Sequence, residues 1–379
     1  MKLLFCGDIM PGGVLPYQDK FVQNDILDYL KSFDLRVGTL ECAIGNNMQF
    51  DTSKMNAEMN IVYARNEDFF RVKELGIDIV SLANNHVYDL GEAGLINTIN
   101  CLKLNNIRYV GAGMNLEEAS TPLVIQKDGL SIAILACCIS GLKPVWVTAA
   151  TPTSSGIWQT DIETICDKIS QIKNQYDYVI VMPHWGIELL FFPHEEYYLY
   201  AKKMIDAGAD SVLGSHTHRI GPYWKYKGKT ICYSMGNFLF PDFCMQVPKP
   251  QFYPESVEKY KSLERWWFYP KDFTSPVVSV WRGRYRIGSM VSMNVKKNRV
   301  VAKHRLSMLT QDNILGLYTG LNSKIVSSRM KLWKFLYSHF NYRFVNRLLQ
   351  SKYNIIGNKL NGMTAFNIPV KLKSCKNYV

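Results

Sequence analysis

Four of the seven histidines in this chain fall in three short polar segments, Asn84-Asn85-His86, His184 and His216-Thr217-His218. Two carboxylates, Asp8 and Glu41, stand in comparable surroundings, because every one of these segments follows an apolar run of strand length. Asp8 comes after KLLFCG, Glu41 after VGTL, Asn84 after VSLA, His184 after VIVMP and His216 after VLGS. Imidazole together with carboxylate and amide oxygen is a donor set for Zn, Mn, Fe or Ni, whereas carboxylate and carbonyl alone suit Mg or Ca. On an extended segment His216-x-His218 points both rings to one side, so that each ring can serve one of two adjacent ions. Taken singly these residues are ordinary: a His after a strand is commonly a satisfied structural group, and Asp8 alone could cap a turn. Five such segments at equivalent positions imply convergence, since the carboxyl ends of strands form the ligand crevice of open α/β sheets.

Other chemistries lack their residues. No GxSxG elbow is present, which leaves a serine hydrolase without support. The Gly-Lys-Thr at 228–230 is not a phosphate loop, because position 223 is Tyr where that loop needs Gly, and the ICYS that follows reads as strand. No GxGxxG opens a helix. The nine cysteines are scattered without a CxxC, so they are read as reduced core thiols.

The elements that must position the polar segments are legible as alternation. Apolar runs at 2–6, 35–40, 77–83, 107–111, 130–138, 178–183 and 210–214 read as strands, with helical patterns at about 20–31, 66–75, 91–105, 161–174 and 195–208. Near-continuous apolar strands separated by helices indicate sheets buried on both faces, a layered α/β architecture. A hairpin turning at Lys227-Gly228 is expected next. Residues 241–276, with six prolines and the aromatic run Trp266-Trp267-Phe268-Tyr269, read as an irregular insertion, either a lid or a segment packed by those aromatics. Further strands are expected across 277–309.

Of the 379 residues 47% are hydrophobic and 20% charged, which excludes a disordered chain. The net charge of +12 is unevenly placed: residues 282–379 carry 19 Lys and Arg against one acidic residue, Asp312, while the preceding residues carry 25 against 31. A basic tail beside a mildly acidic body suits an anionic surface, either polymer or lipid, or is simply a solvated face. Nucleic acid would explain the charge but not the strand-end cluster, and is not expected as a partner. Within the tail, residues 327–350 interleave Lys331, Lys334, Arg343 and Arg347 with Trp333, Phe335, Leu336, Phe340, Phe344 and Leu348 at helical spacing. Such a helix fits either a membrane surface or the body itself. With no long apolar run and no secretory leader apparent, a cytoplasmic protein, peripheral at the membrane through its tail, is the expectation.

In order and spacing, GDIMPGG, TLECAI, SLANNHVYDLG, MPHWGIE, GSHTHRIGP and YSMGNF resemble the CapA-like poly-γ-glutamate capsule synthesis proteins, whose domain is similar to the calcineurin-type metallophosphatases. The resemblance covers about residues 1–310 and implies a four-layer αββα sandwich, with 311–379 as a basic, partly amphipathic helical appendage. It implies one or two divalent ions, Mn, Fe or Zn, held by Asp8, Glu41, Asn85, His184, His216 and His218. His86 would assist the leaving group, and Asn84 and Arg219 would contact substrate. Metal-activated water would attack a phosphoester or a γ-glutamyl amide in capsule or other surface-polymer synthesis. The alternative is a non-catalytic partner that holds an acidic polymer or a lipid-linked intermediate within a synthesis and export complex. Two departures matter: Met10 stands where metallophosphatases carry a ligand His, and Glu41 replaces a bridging Asp. One ion would then have only Asp8, Glu41 and His218, so that site is expected to be weak or empty, while Glu41, Asn85, His184 and His216 hold the other.

Overall fold

The computed structural model describes residues 1–46, 61–139, 147–246, 251–267, 275–297, 299–348 and 370–371. In chain order the elements that matter for the site are β1 (Lys2–Ile9), α1 (Asn24–Lys31), β2 (Leu35–Leu40), α2 (Phe70–Glu74), β3 (Ile79–Ser81), α3 (Gly91–Leu104) and β4 (Arg108–Val110). There follow β5 (Leu123–Lys127), β6 (Leu130–Ile139), β7 (Gln159–Thr160), α4 (Ile162–Ile172), β8 (Tyr178–His184), α5 (Glu195–Ala207) and β9 (Ser211–Leu213). The chain continues through the hairpin β10 (Tyr223–Tyr226) and β11 (Lys229–Cys232), then β12 (Asn237–Leu239), β13 (Ile287–Lys296), β14 (Arg299–Leu309), β15 (Leu315–Leu317) and α6 (Gly320–His339).

Two sheets result. The first runs β15-β14-β13-β1-β2-β3-β4, with β12 also pairing β1; the second runs β7-β6-β8-β9-β11-β10, with β5 on β6. Strand alternation makes them stack. In β1, Leu3 and Phe5 join Ile132, Ile134 and Ile180 in a core between the sheets, whereas Leu4 and Cys6 face the opposite way, into a core shared with Ile26, Val72, Leu95 and Ile99 from α1, α2 and α3. In β6, Ala133, Leu135 and Cys137 likewise turn from the inter-sheet core toward Ile165 and Ile169 of α4 and Ala201 and Met204 of α5. Both faces of both sheets are therefore apolar, which is why the strands read as continuous hydrophobic runs. The molecule is the expected four-layer αββα sandwich.

Lys227 and Gly228 turn the hairpin with φ of 48° and 77°, the left-handed pair that matches strand twist. The segment expected to be irregular instead contains strands Phe243–Met245, Gln251–Phe252 and Glu264–Trp267 and the helix Val257–Ser262. These strands form a small sheet with Val277–Val280 and residues 370–371. Hydrogen bonding across that sheet satisfies a Pro-rich segment that its sequence pattern left without a period. Phe268 and Tyr269, like most of the tail beyond 348, lie outside the described residues. The basic segment is joined to the body: β15 is the edge of the first sheet, and α6 buries Val326, Met330, Trp333, Leu336 and Tyr337 against the second. The indole of Trp333 stacks on Phe191 at 5.4 Å. Among the described residues no helix is long and apolar enough to cross a membrane.

Candidate metal centre

The polar segments converge where the carboxyl ends of the two sheets meet. Asp8 is the penultimate residue of β1, Glu41 follows β2 directly, Asn85 lies in the turn after β3, and His184 ends β8. His216 and His218 lie just beyond β9. Two ligand groups form, Glu41 with His184 and His216, and Asp8 with Glu41 and His218, each with donor atoms within 4.8 Å of one another. Glu41 belongs to both groups. Asn85 joins the first, its Oδ1 lying 2.7 Å from His184 Nε2, and Glu41 Oε1 is 3.3 Å from the same nitrogen.

Burial dictates the electrostatics. Asp8 and Glu41 are both inaccessible to solvent, and all four of their carboxylate oxygens, with His216 Nδ1, have no hydrogen-bond partner among the described residues. Desolvation pushes Asp8 up to about 7, and it pushes Glu41 well above the carboxylate range, with the charges of Asp8 and Glu188 adding to the effect. The same burial pulls His184 well below its ordinary value, His216 down to about 3 and His218 down to about 4. The imidazoles are therefore neutral, with lone pairs available for a cation, and the carboxylates lack a counter-charge. Buried polar atoms without partners are rare and need a cause; divalent metal held by the two ligand groups would give these atoms a partner, so the donor set fits the metal that the resemblance implied.

His216 and His218 reach the site by a route different from the one expected. They do not lie on an extended segment: their φ values are 91° and 54°, left-handed conformations that cost non-glycine residues about 1–3 kcal/mol each. The turn, and not a strand's period of two, sends one ring into each ligand group. Ser215 Oγ lies 2.9 Å from His184 Nδ1 and so leaves Nε2 for the site.

His86 is at the margin, near enough for its charge to lower the pKa of His184, His216 and His218 in addition to burial. Its Nδ1 pairs at 2.7 Å with Oδ2 of Asp89, a buried carboxylate that also accepts the Val62 amide. Arg219 is outside the ligand groups; its guanidinium lies over the rings of Phe191, at 4.8 Å, and Tyr285, at 5.1 Å. Asn84, read from sequence as a substrate contact, is buried and turned inward. Its amide nitrogen donates to the Leu40 carbonyl, and its oxygen accepts from the His86 and Val87 amides. That wiring ties the β2 end carrying Glu41 to the turn carrying Asn85 and His86, and occupies both lone pairs of the side-chain oxygen and one of its two amide hydrogens.

Three positioning residues escaped the sequence reading: Asp89, Ser215 and Asn237. Asn237 opens β12, and its Oδ1 is 2.8 Å from His218 Nδ1. Only the Gly-Asn within YSMGNF hinted at it. Glycine matters here because β1 and β12 approach closely: a Cβ on Gly7 would lie 1.8 Å from the Gly236 carbonyl oxygen, the acceptor of the Asp8 amide.

The chain is 31% identical over 252 residues to the capsule biosynthesis protein CapA of Bacillus anthracis, covering 63% of this chain and 60% of that one. It is 32% identical over 247 residues to the PGA biosynthesis protein CapA of Bacillus subtilis, covering 62% of each. The match thus spans about three fifths of the length of these relatives. Among solved structures, the NAD nucleotidase of Haemophilus influenzae is similar over 95% of this chain and 60% of its own, at 13% identity and a TM-score of 0.41. The family described as bacterial capsule synthesis protein PGA_cap matches residues 2–242, the span that contains every residue of both ligand groups, and the chain belongs to that family.

Proposed function

We propose that this protein is a metal-dependent hydrolase of surface-polymer synthesis, acting on a phosphoester or a γ-glutamyl-type amide of an anionic polymer or its precursor. The observation that carries the reading is Glu41, a buried carboxylate shared by two ligand groups and without a hydrogen-bond partner among the described residues. Asp8, Glu41 and His218 would hold one divalent ion, and Glu41, Asn85, His184 and His216 the other. Such a centre supplies Lewis-acid polarisation of the scissile group and a water acidified to near neutrality. The rest falls to the chain. Asp89, paired with Nδ1 of His86, orients the ring so that Nε2 is the nitrogen left to pass a proton to the leaving oxygen or nitrogen. Arg219, held between two aromatic rings, supplies a fixed cation for a phosphate or carboxylate of the substrate. Asn84 keeps Glu41, Asn85 and His86 in mutual register. The names of the CapA relatives support the polymer context.

The test is elemental analysis of full-length protein purified without chelator, beside Asn85→Ala and His216→Ala, followed by a phosphoester and γ-glutamyl amide screen. One or two equivalents of Mn, Fe or Zn that fall in both variants support the centre. No bound metal in the wild type after reconstitution refutes the hydrolase and leaves a polyanion-holding partner.

A second observation bears on where the protein works. Opposite its buried face, α6 exposes Leu321, Ile325, Leu332 and Phe335, and Phe340 and Phe344 continue the exposed apolar set beyond it. Lys324, Lys331, Lys334, Arg343 and Arg347 lie among them. A free polyanion would need only the cations; cations mixed with exposed apolar side chains favour an anionic bilayer surface. Flotation with phosphatidylglycerol vesicles is expected to carry the wild type and not Leu332→Glu/Phe335→Glu. Sedimentation of both at low salt would refute the contact.

A further inference from the structure

The Asp8 side of the centre, as described, has three ligands, and Met10 occupies the position where a fourth was expected. Asn237 stands beside this ligand group. Asn237 is the parallel-strand partner of Asp8, so the two side chains emerge on the same face at the end of β1. Its Oδ1 is 2.8 Å from Nδ1 of His218, and this is the imidazole nitrogen that faces the carboxylates, at 3.8 Å from Asp8 Oδ2 and 3.7 Å from Glu41 Oε2. The amide cannot be turned the other way round, because Nδ2 donates to the Tyr285 carbonyl at 3.0 Å. The oxygen is thereby committed to the site. On the opposite side Asn85 Oδ1 and His184 Nε2 form a matching amide–imidazole edge of 2.7 Å. Two ligands at right angles on an octahedral ion, each at ~2.1 Å, are separated by ~3.0 Å, within a few tenths of an ångström of both edges.

Resting on the reading of this centre as a metal site, we propose that Asn237 Oδ1 is a metal ligand, replacing the imidazole that Met10 does not supply. The Asp8 side then offers three oxygens and one nitrogen, Asp8, Glu41, Asn237 and His218. The other side offers two oxygens and two nitrogens, Glu41, Asn85, His184 and His216. The first set suits a harder ion, the second a softer one. With limiting Zn²⁺ the imidazole-rich side fills first, and Mn²⁺ occupies the Asp8 side, giving a mixed-metal centre.

The experiment uses full-length, chelator-treated protein given one equivalent of Zn²⁺ and titrated with Mn²⁺. Electron paramagnetic resonance reads binding, and water-proton relaxation counts the waters on Mn²⁺. In Asn237→Ala, Mn²⁺ affinity is expected to fall at least tenfold and the water count to rise by about one, with Zn²⁺ content unchanged. Asn237→Asp, which keeps the oxygen, is expected to bind Mn²⁺ with the wild-type water count, showing that loss in the alanine variant is not misfolding. A fall in affinity at constant water count would mean that Asn237 only orients His218 and would overturn the proposal. Wild type that takes Zn²⁺ but no Mn²⁺ would overturn it too while sparing the centre; wild type that takes neither would refute the centre itself.

Discussion

Replacing Asp8 by Asn should stabilise the ion-free protein, and by an amount that depends on pH. In the folded chain burial moves the Asp8 carboxyl from 3.8 to about 7, so holding it ionised at pH 8 costs about 4 kcal/mol relative to the unfolded chain. The sign follows from proton counting. Between pH 4 and 7 the native state retains a proton that the unfolded state releases, so the contribution of Asp8 to stability is intact at pH 4 and lost as pH rises through 7. His184, His216 and His218 act in the opposite sense, because their folded values are lowered: stability is lost as pH falls below the ordinary histidine range. Those residues are present in both proteins, so the difference between variant and wild type reports Asp8 together with the charge it places beside Glu41. Urea unfolding in chelator should give a difference near zero at pH 4, growing to about 4 kcal/mol in favour of Asp8→Asn by pH 8. Adding metal at a thousandfold excess over its dissociation constant stabilises the wild type by about 4 kcal/mol and should erase or reverse the advantage. If Asp8→Asn is no more stable than wild type in chelator at pH 8, the carboxylate is not the uncompensated charge inferred here.

Other outcomes follow from the same geometry. Metal affinity should rise as pH rises through about 7, where Asp8 sheds its proton while the imidazoles are already neutral; calorimetry in buffers of different ionisation enthalpy should detect the released proton. His86→Asn should lower kcat by about 10²–10⁴-fold with metal content unchanged, and a proportional loss of metal would contradict its assignment outside the ligand groups. Gly7→Ala forces a Cβ against the Gly236 carbonyl and should destabilise by about 1–3 kcal/mol or dislodge β12, read as lower metal content together with a lower Tm. Trp333→Ala should cost about 3–5 kcal/mol by opening a cavity between α6 and the second sheet, visible as a lowered urea midpoint.

Much of this was legible in the sequence, for stated reasons. Sheets buried on both faces write themselves as unbroken apolar runs, so the strands carrying Asp8, Glu41, Asn85 and His184 were found together with the residues at their ends. The route taken by His216 and His218 was not legible, since a left-handed turn leaves no periodic trace and the spacing alone suggested extended chain. Asn84 and Asn85 are chemically identical neighbours; only the wiring to Leu40, His86 and Val87 tells the inward amide from the one beside His184. Asn237 depends on pairing between strands more than two hundred residues apart, which no local pattern encodes. The strands at 243–245 and 264–267 were hidden by prolines, whose usual meaning was overridden by partners supplied from 277–280.

The arrangement of β1 has a consequence for how the family's shared segment can be handled. Residues 2–242 match the family, yet within the first sheet Lys2 to Phe5 hydrogen-bond on one side to residues 291–294 of β13, and β14 and β15 extend that edge to Leu317. Excising the matched segment would strip β1 of its antiparallel neighbour while leaving Asp8 near its end. Ligands and scaffold thus belong to one cooperative unit, of which the family match covers only part. Transplanting the motifs into another chain would need an edge equivalent to 287–317.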